Sequence, residues 1–406
     1  MKAVTVIRDE QEIPAILDRL VPLIAQEAAA RDANHELPDT AIEAIAASGL
    51  LALNVPRTHG GVQASAAAIV SVCRRIAQAD PSVAQLFQPH LAALDALGRV
   101  GSHEQQAFFF REALDGAWVG NATTEVGVAR GHDNMQTQLS ETSLNGDYLL
   151  NGKKYYSTGA MHARWIAVMT KDPEGRIGVA WVPREATGVQ VQRDWNGFGQ
   201  RATSSGTTTF QQVAVPRAHL VERWRLFEAP QSHGAFGQLH HVGLDLGVLD
   251  AALSDGIEYL KQRSRPSAES PYLSNSDDPV VLQAFGRYAV AQRAAAALLD
   301  EAARTYDALD PLLRNPATSP EAAADAAARI SLAVAAAKTF VSEQAVQVSS
   351  SLFEWLGAGA TSRSLGLDRH WRNTRTHSLH DAARWKLHHL GNHLVNGTLP
   401  PNSGIL

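Results

Sequence analysis

The residues best suited to chemistry lie in one segment near the C-terminus, DRHWRNTRTHSLHD (368–381). In a helix, His377 and His380 of this segment would share a face with Thr376. Imidazole titrates near neutral pH, so histidines placed side by side can hold or move a proton. The segment also holds three arginines at intervals of three, Arg369, Arg372 and Arg375. Such a stripe near a helix end is also typical of capping and ion pairing, but its density with two histidines favours a functional site.

The sixteen histidines of the chain raise the question of a metal centre. His388 and His389 adjoin, and His393 lies four residues beyond His389. A metal needs converging ligands held in place by further hydrogen bonds, and no known ligand spacing such as HExxH occurs. We therefore predict no metal site, with these three histidines solvated or satisfied within the core.

Two other segments carry polar groups next to glycines. GNATTEVG (120–127) contains an amide and two hydroxyls, and KYYSTG (154–159) ends in two hydroxyls before a glycine. Such groups could hydrogen-bond the polar edge of a planar heterocycle, since small residues let the backbone approach closely. The same residue types are ordinary in turns, so both interpretations stay open. Likewise Trp195, in DWNGFG (194–199), could stack on a flat ring or cap a β core.

The signatures of several common enzyme classes do not occur in the sequence. There is no GxGxxG motif after a strand and no GxxxxGK[ST] motif, so neither a nicotinamide-binding fold nor a P-loop is supported. A GxSxG nucleophile elbow is also absent. Cys73 is the one cysteine, which excludes an internal disulfide and a CxxC site.

Along the chain, a helical region is followed by a β region and then by a second helical region. Apolar periodicity predicts five N-terminal helices, the third and fourth separated by Asp80-Pro81. They are Glu12–Arg31, Asp39–Ser48, Ala64–Ala79, Ser82–Leu97 and Glu104–Asp115. Long runs of good helix formers near the C-terminus predict an antiparallel bundle. Its helices are Phe236–Gln262, Pro279–Leu309 and Ser319–Ser350.

Between the helical regions, short apolar runs alternate with turn residues, including Asn145-Gly146 and Asn151-Gly152, as in a small barrel or sandwich. The predicted strands are 148–150, 154–156, 165–169, 177–182, 189–191 and 207–210, with another opening the 120–127 segment. We therefore predict an N-terminal helical domain at 1–118, a central β domain at 119–222 and a C-terminal helical bundle at 223–406.

Composition places the chain among globular proteins. It has 406 residues, 45% hydrophobic and 19% charged, enough for two or three domains. The net charge of −5 provides no basic field for nucleic acid or an anionic membrane. Neither an N-terminal apolar leader nor a run of 18 apolar residues occurs. We expect a cytoplasmic protein that binds neither nucleic acid nor membrane.

Taken together, the motifs and their order resemble the acyl-CoA dehydrogenase superfamily over nearly the whole chain. The segments that carry the resemblance are VPRTHGG (55–61), NATTEVG (121–127), NGKKYYSTGA (151–160) and DWNGFGQRATSSGTTTF (194–210). DRHWRNTRTHSLHD (368–381) and RWKLHHLGNHLVNGTLPP (384–401) are similar to its branch of reduced-flavin (FMNH2-dependent) monooxygenases. That branch includes dibenzothiophene monooxygenase, methanesulfinate monooxygenase and sulfur-acquisition oxidoreductases.

The resemblance implies an α+β multidomain fold, with an N-terminal helical domain, a central β-barrel or sandwich and a C-terminal four-helix bundle. It also implies a homotetramer, a dimer of dimers, with FMN between the β domain and helices of two subunits. The residues implied to line the flavin or its lid, at 121–135, are Asn121, Thr123, Thr124, Glu125 and Val126. Ser157 and Thr158 would hydrogen-bond the flavin N5/O4 edge, and Trp195 would flank the ring.

The phosphate end and the reaction pocket are implied by other positions. Arg263 matches an arginine that reaches the flavin phosphate of a neighbouring subunit, and Arg265 is a second candidate. Ala358 and Gly359 match a turn at the phosphate end. The histidines implied to line the monooxygenase pocket are His90, His377 and His380. A tyrosine one turn after His90 in the monooxygenases is replaced here by Leu94.

The function implied is that of a two-component monooxygenase in sulfur acquisition. Reduced FMN, supplied by a separate NAD(P)H:flavin reductase, would react with O2 to give a C4a-hydroperoxide that oxygenates a small organosulfur compound, such as an alkanesulfinate or sulfide. Ser157 or Thr158 would hold N5–H, and His380 would hold the hydroperoxide or move its proton. N-hydroxylation of an amine remains a compatible reaction.

Two other functions remain open. The chain could be an FAD-dependent acyl-CoA dehydrogenase, with Asp381 at or beside the glutamate base of that family. It could also be a non-catalytic relative kept as an assembly or regulatory partner, which would have no affinity for flavin.

Overall fold

The computed structural model describes residues 4–127, 134–142 and 146–406. Asn145 of one predicted turn and residues 128–133 of the predicted lid lie outside the described residues. The N-terminal region is helical, as predicted. Its α-helices are α1 Ile13–Ala25, α2 Ala28–Asn34, α3 Asp39–Ser48, α4 Ala66–Ala79, α5 Pro81–Val100 and α6 His103–Leu114.

The predicted first helix is wrong in one respect, because the chain turns at residues 26 and 27 and forms α1 and α2. The turn lets Arg31 of α2 form a buried ion pair with Asp80, at 2.9 Å. Asp80 also caps α5, accepting a hydrogen bond from the amide of Ser82 at 2.9 Å. The predicted break at Asp80-Pro81 is thus confirmed, since one carboxylate both starts α5 and anchors α2.

The central region forms a mixed sheet in the order β6-β7-β3-β2-β4-β5-β8, with β1 parallel to β4. Its strands are β1 Val119–Ala122, β2 Gln138–Glu141, β3 Tyr148–Lys154, β4 Trp165–Lys171, β5 Ile177–Pro183, β6 Val189–Val191, β7 Thr208–Val215 and β8 Leu220–Val221. The sequence prediction missed β2 and β8.

The predicted turn at Asn151-Gly152 is wrong, because both residues lie inside β3. The register with β7 shifts between Leu150 and Gly152, as in a β-bulge. Gly152 has φ +155°, and a Cβ there would come within 2.4 Å of the Thr137 hydroxyl. The glycine therefore serves close backbone approach within a strand and does not reverse the chain.

The C-terminal region is a helical bundle. Its members are α7 His233–Gln262, α8 Pro279–Arg314, α9 Pro320–Leu356, α10 Asp368–His377 and α11 Ala383–Asn396. Helix α7 is buried along most of its length and shares one hydrophobic core with α4 and α5. A Cβ at Gly247 of α7 would come within 2.3 Å of the Arg74 carbonyl of α4, so small residues allow this contact. No helix of the described ranges is long and apolar enough to cross a membrane.

Candidate functional site

At the end of β3 the chain turns and buries a serine that has no hydrogen-bond partner. Tyr156 adopts φ +56°, and the amide of Ser157 then donates to the carbonyl of Gly206 at 2.9 Å. The Ser157 side chain is fully buried, and its Oγ has no partner within the described part of the chain. Oδ1 of Asn121 is also buried and unpartnered, while the Asn121 amide bonds the Thr158 carbonyl at 3.0 Å. A buried polar atom without a partner is costly, so this position is suited to a polar ligand.

Thr158, predicted to share the role of Ser157, is placed differently. Its hydroxyl is 2.8 Å from that of Ser205, which donates to Thr203 at 2.9 Å. Thr203 in turn donates to the carbonyl of Gln200 at 2.8 Å. This chain of hydroxyls fixes the loop that follows Trp195. Ser157 is therefore the hydroxyl of the pair that is left to bind a ligand.

Trp195 forms a half-buried wall next to this position. Its indole N–H donates to the carbonyl of Gln200 at 2.9 Å, and its ring lies edge-on to Tyr156 with centroids 6.0 Å apart. A Cβ at Gly197 would come within 2.2 Å of the indole, so only glycine lets the chain cross it. Tyr156 was not predicted, although its position directly before Ser157 could have indicated it.

The loop after Trp195 packs on α10 and so joins the sheet to the histidine-rich segment. The amide of Gln200 donates to Oδ1 of Asn373 at 2.6 Å, and a Cβ at Gly199 would lie 2.0 Å from the Arg372 carbonyl. Arg372 also donates to the Phe198 carbonyl at 2.9 Å and pairs with Asp32. Arg372 thus forms ion pairs, one of the two roles considered for the arginine stripe, and joins this loop and α10 to α2.

The histidine-rich segment contains a buried chain of hydrogen bonds centred on Asp245 of α7. Nδ1 of His377 lies 2.6 Å from Oδ1 of Asp245, and Nζ of Lys338 donates to Oδ2 at 3.0 Å. Nε2 of His377 is 2.8 Å from Nδ1 of His241. The ring of His380 lies against that of His241, with centroids 4.2 Å apart. Helix α10 ends at His377, so the prediction that His380 lies on the same helix is wrong.

The charges of this cluster follow from its burial. Desolvation acts to raise the pKa of Asp245, but His377 and Lys338 outweigh it and hold that pKa below its usual value. Desolvation, and then the repulsion that a protonated His380 would exert, lower the pKa of His241 well below its usual value. The pKa of His380 is also lowered, by desolvation of its ring where it lies against His241 and then by His377, although the residue is exposed in the single chain. His241 and His380 are therefore neutral at pH 7, beside a charged carboxylate.

Asp381, the position considered for a carboxylate base, is engaged by a lysine. Its Oδ2 forms an ion pair with Nζ of Lys386. Desolvation raises the pKa of Asp381, but Lys386 and Lys338 outweigh this effect and lower it. An efficient general base at neutral pH has a pKa raised towards 7. The paired Asp381 has the opposite property.

His90, predicted to line the pocket, has both ring nitrogens occupied by backbone groups. Nδ1 accepts from the amide of Val119 at 3.1 Å, which leaves Nε2 as the donor to the Leu51 carbonyl at 2.7 Å. The side chain is fully buried, and burial lowers its pKa to about 4. This geometry makes His90 a neutral link between α5 and β1 and leaves no nitrogen for a ligand.

Glu125 is likewise committed within the β region. It accepts hydrogen bonds from the amides of Gln136 at 2.8 Å and Thr137 at 2.9 Å, and pairs with Lys154 at 2.9 Å. Desolvation raises its pKa, but the bonds from Thr137, Gln136 and Lys154 outweigh this and lower the pKa to about 2. Glu125 therefore holds the 134–138 backbone in place and has no free carboxylate oxygen for a flavin.

The other predicted residues of this segment surround Glu125. The carbonyl of Thr123 accepts from Lys154 at 3.3 Å, and the carbonyl of Thr124 accepts from the Tyr155 amide at 2.8 Å. Val126 is exposed. The segment is therefore tied to the end of β3 through its backbone.

The residues predicted for a phosphate end lie on the outside of the single chain. Arg263, Arg265, Ala358 and Gly359 are all exposed. Neither arginine has an ion pair or a side-chain hydrogen bond within the described ranges. A Cβ at Gly359 would come within 2.7 Å of the Tyr259 hydroxyl, so the ends of α7 and α9 lie side by side. Two uncompensated cations at one end of α7 can receive an anion.

Comparison with known proteins identifies the family. The chain matches the models for the acyl-CoA dehydrogenase N-terminal domain over 18–117, the middle domain over 120–213 and the C-terminal domain over 239–385. It is 31% identical to the probable FMNH2-dependent monooxygenase SfnC of Pseudomonas putida over 396 residues, covering 96% of each chain. The chain belongs to the acyl-CoA dehydrogenase superfamily, in its FMNH2-dependent monooxygenase branch.

Further relatives of this branch support the same assignment. Dibenzothiophene monooxygenase of Rhodococcus erythropolis is 32% identical over 378 residues, 88% of this chain and 87% of that one. The structure of methanesulfinate monooxygenase MsuC from Pseudomonas fluorescens matches with a TM-score of 0.86 at 30% identity, over 97% and 99% of the chains. FMN-bound TdsC from Paenibacillus sp. A11-2 matches with a TM-score of 0.89 at 28% identity, over 97% and 100%. The sequence prediction of the superfamily and of its monooxygenase branch is thus confirmed.

Proposed function

We propose that this protein is a two-component monooxygenase that uses reduced FMN and O2 to oxygenate a small organosulfur compound, such as an alkanesulfinate or a sulfide. The observation that carries the proposal is a carboxylate held charged by a lysine, with neutral histidines beside it. Asp381 is paired with Lys386, whereas His380 has no side-chain hydrogen bond within the described residues and stays exposed. A dehydrogenase needs a carboxylate that can take a proton from carbon. An oxygenase needs neutral groups that hydrogen-bond a protonated oxygen.

The unpartnered polar atoms in β1 and directly after β3 fit a flavin. Buried Oγ of Ser157 and Oδ1 of Asn121 lack partners, and Trp195 provides a flat wall beside them. Reduced FMN, when bound, supplies the electrons that activate O2. Ser157 would hold a proton at the polar edge of the flavin ring, and Trp195 would exclude water from one face. His380 would hold or move a proton of the reacting oxygen.

Replacing Ser157 with alanine tests this fit through two effects of opposite sign. Without flavin, Ser157→Ala is expected to keep or raise the melting temperature, since it deletes a buried hydroxyl that has no partner. It is expected to weaken FMN binding about tenfold, because a ligand hydrogen bond is lost. Thermal unfolding and fluorescence titration measure the two effects.

Thr158→Val is the matched control for Ser157→Ala. Thr158 already bonds Ser205 at 2.8 Å, so this variant is expected to lower the melting temperature of the flavin-free protein. If Ser157→Ala also destabilised the flavin-free protein and bound FMN normally, Ser157 would have a structural role only.

The exposed arginines favour a site completed by a second subunit, and we propose a homotetramer. Arg263→Ala is expected to weaken FMN binding about tenfold or more, because a charge-assisted bond to phosphate is lost. Arg329 is an exposed arginine on α9 with a partner 3.7 Å away, and Arg329→Ala serves as the control. Titration measures the affinity, and light scattering measures the mass of the assembly. Unchanged affinity in Arg263→Ala would remove Arg263 from the site.

The reducing equivalents would come from a separate reductase. The sequence lacks the nicotinamide and P-loop signatures, so we propose an NAD(P)H:flavin reductase as the partner. We propose that the protein is cytoplasmic, because a reductase would supply reduced flavin there and because its one cysteine is buried and unpaired. Chemically reduced FMN is expected to support turnover without a reductase, and NADH alone is not. Turnover with NADH alone would contradict the two-component arrangement.

Rapid mixing is the decisive experiment. Protein loaded with anaerobically reduced FMN would be mixed with oxygenated buffer while its absorbance spectrum is followed. A transient spectrum, different from those of reduced and oxidised FMN, is expected before the oxidised form appears. Reoxidation at the rate of free flavin, or FAD already bound to the purified protein, would favour the acyl-CoA dehydrogenase reaction with Asp381 as base.

A further inference from the structure

Asp245, His377 and His241 form a continuous buried path from the core to the proposed site. The distances are 2.6 Å from Asp245 Oδ1 to His377 Nδ1 and 2.8 Å from His377 Nε2 to His241 Nδ1. All three side chains are at most 3% exposed. The path crosses from α7 to α10 and back to α7, so its two ends lie one helical turn apart on the same helix.

The carboxylate and the charge of His377 together fix the position of every proton along the path. Asp245 can only accept, so Nδ1 of His377 carries a proton and donates it to Oδ1. In neutral His377 the other nitrogen, Nε2, is therefore an acceptor. Nδ1 of His241 must then be the donor across the 2.8 Å contact, which leaves Nε2 of His241 as a bare acceptor.

That last nitrogen has no hydrogen-bond partner among the described residues. The His241 ring lies 4.2 Å from the ring of His380, which is exposed in the single chain. The bare nitrogen therefore belongs to a buried ring beside the proposed reaction pocket. A ligand bound beside His380 would be its partner.

We propose that Asp245, His377 and His241 form a proton relay that takes up and returns a proton at Nε2 of His241. When a proton binds there, the proton on Nδ1 of His241 can move to Nε2 of His377. His377 is then the imidazolium, and its two N–H groups donate to Asp245 and to Nδ1 of His241. The reverse shift returns the proton to the site. No atom is lost, and the positive charge rests beside the Asp245 carboxylate instead of in the pocket.

Lys338 makes the relay reversible. It donates to Oδ2 of Asp245 at 3.0 Å and is itself buried, so the carboxylate has a countercharge while His377 is neutral. The charged or titratable groups around His241 come from four parts of the chain. They are His240 and Asp245 of α7, Lys338 of α9, His377 of α10 with His380 and Asp381 after it, and Lys386 of α11.

The relay has a signature that does not depend on turnover. Flavin-free protein with 15N-labelled histidine is expected to show His241 protonated at Nδ1 and bare at Nε2 while His377 is neutral. As pH is lowered and His377 gains its second proton, His241 is expected to exchange to the Nε2–H form at the same pH. A His241 that keeps one tautomer through this titration, or a His377 charged at every accessible pH, would overturn the relay.

His241→Asn separates the relay from the packing of the ring. The asparagine amide can still donate to Nε2 of His377, but it offers no nitrogen to the site. With the variant folded and FMN bound as before, turnover is expected to fall about 100-fold, as for loss of a proton-transfer group. The dependence of its turnover on pH is also expected to differ from that of the unaltered protein. Unchanged turnover and pH dependence would contradict the relay.

Asp255 provides a matched control on the same two helices. It pairs with His370 of α10 at 2.8 Å and with Arg369 at 2.7 Å, without contact to His241. Asp255→Asn is expected to leave the His241 tautomer and the pH profile unchanged. The use of the relay in oxygenation rests on the proposed function, but its tautomer exchange does not. An exchange without any oxygenase transient would reject the proposed function and keep the relay.

Discussion

The His380→Ala variant is expected to bind reduced FMN and to lose substrate oxygenation. His380 lies after the end of α10, stays exposed in the single chain and has no side-chain hydrogen bond within the described residues. Its removal therefore breaks no internal network, whereas the proposed proton transfer at the reacting oxygen loses its nearest imidazole. Loss of such a group costs about 10²- to 10⁴-fold in rate. Product formation and FMN affinity, measured side by side, check this expectation.

His388→Ala is the control for this variant. His388 is exposed on α11 and contacts Trp385 and His389, away from the Asp245 path. It is expected to show the activity of the unaltered protein. If His380→Ala kept full turnover, His380 would have no part in the mechanism. If it failed to bind FMN, the residue would belong to cofactor binding instead.

The pH dependence expected for the unaltered protein follows from the direction in which the pKa of His380 is shifted. Desolvation and His377 lower the pKa of His380, so its ring stays neutral down to pH values well below 6.5. The unaltered protein is therefore expected to show no activity inflection from His380 near pH 6.5. An activity inflection near pH 6.5 that tracks the NMR titration of the His380 ring would contradict this expectation.

The sequence was sufficient to predict most of the helices because their local signals and burial agree. The Asp80-Pro81 pair marks a helix start by both its capping carboxylate and its proline, and the structure uses both. The Asn151-Gly152 pair has equally strong turn chemistry, but the register of β3 with β7 absorbs it as a bulge. Tertiary pairing, which the sequence does not display, decided between a turn and a strand.

The site was only partly predictable for a related reason. His377 and His380 lie close together in the sequence and so could be predicted, but the residues they contact come from another helix. His241 and Asp245 lie in α7, which is buried on nearly all sides, so no amphipathic pattern distinguishes them. His90 shows a different gap, because the resemblance implies a place in the pocket but does not display the two backbone hydrogen bonds that occupy its ring nitrogens.

Arg99→Met is expected to lower the free energy of unfolding by about 3–5 kcal/mol, as for other buried ion pairs that lose one partner. Arg99 of α5 is almost fully buried and donates to Asp95 at 2.8 Å and to Asp310 of α8 at 2.8 Å. It also donates to the Tyr306 hydroxyl at 2.8 Å. Methionine fills part of the volume of Arg99. The carboxylates of Asp95 and Asp310 then have Arg314 as their remaining arginine partner. Urea unfolding at a fixed protein concentration measures the loss.

Arg111→Met is the matched control for this buried cation. Arg111 also forms an i,i+4 pair, with Asp115 at 2.9 Å, but its side chain is 73% exposed. Such surface pairs contribute about 0–1 kcal/mol, so the control is expected to change stability little. Equal effects of the two variants would show that the buried network contributes no more than a surface pair.

Lowering the pH is expected to remove part of the difference between Arg99→Met and the unaltered protein. Desolvation raises the pKa of Asp95, but Arg99, His233 and Arg314 outweigh it and hold that pKa well below the usual range. A carboxyl group with a lowered folded-state pKa stabilises the fold above the unfolded-state pKa of about 3.9 and loses this effect as pH falls. Without Arg99, Asp95 gains less from being charged, so the two unfolding curves should converge below about pH 4. A gap that stayed constant through this range would mean that the lost free energy comes from packing and not from charge.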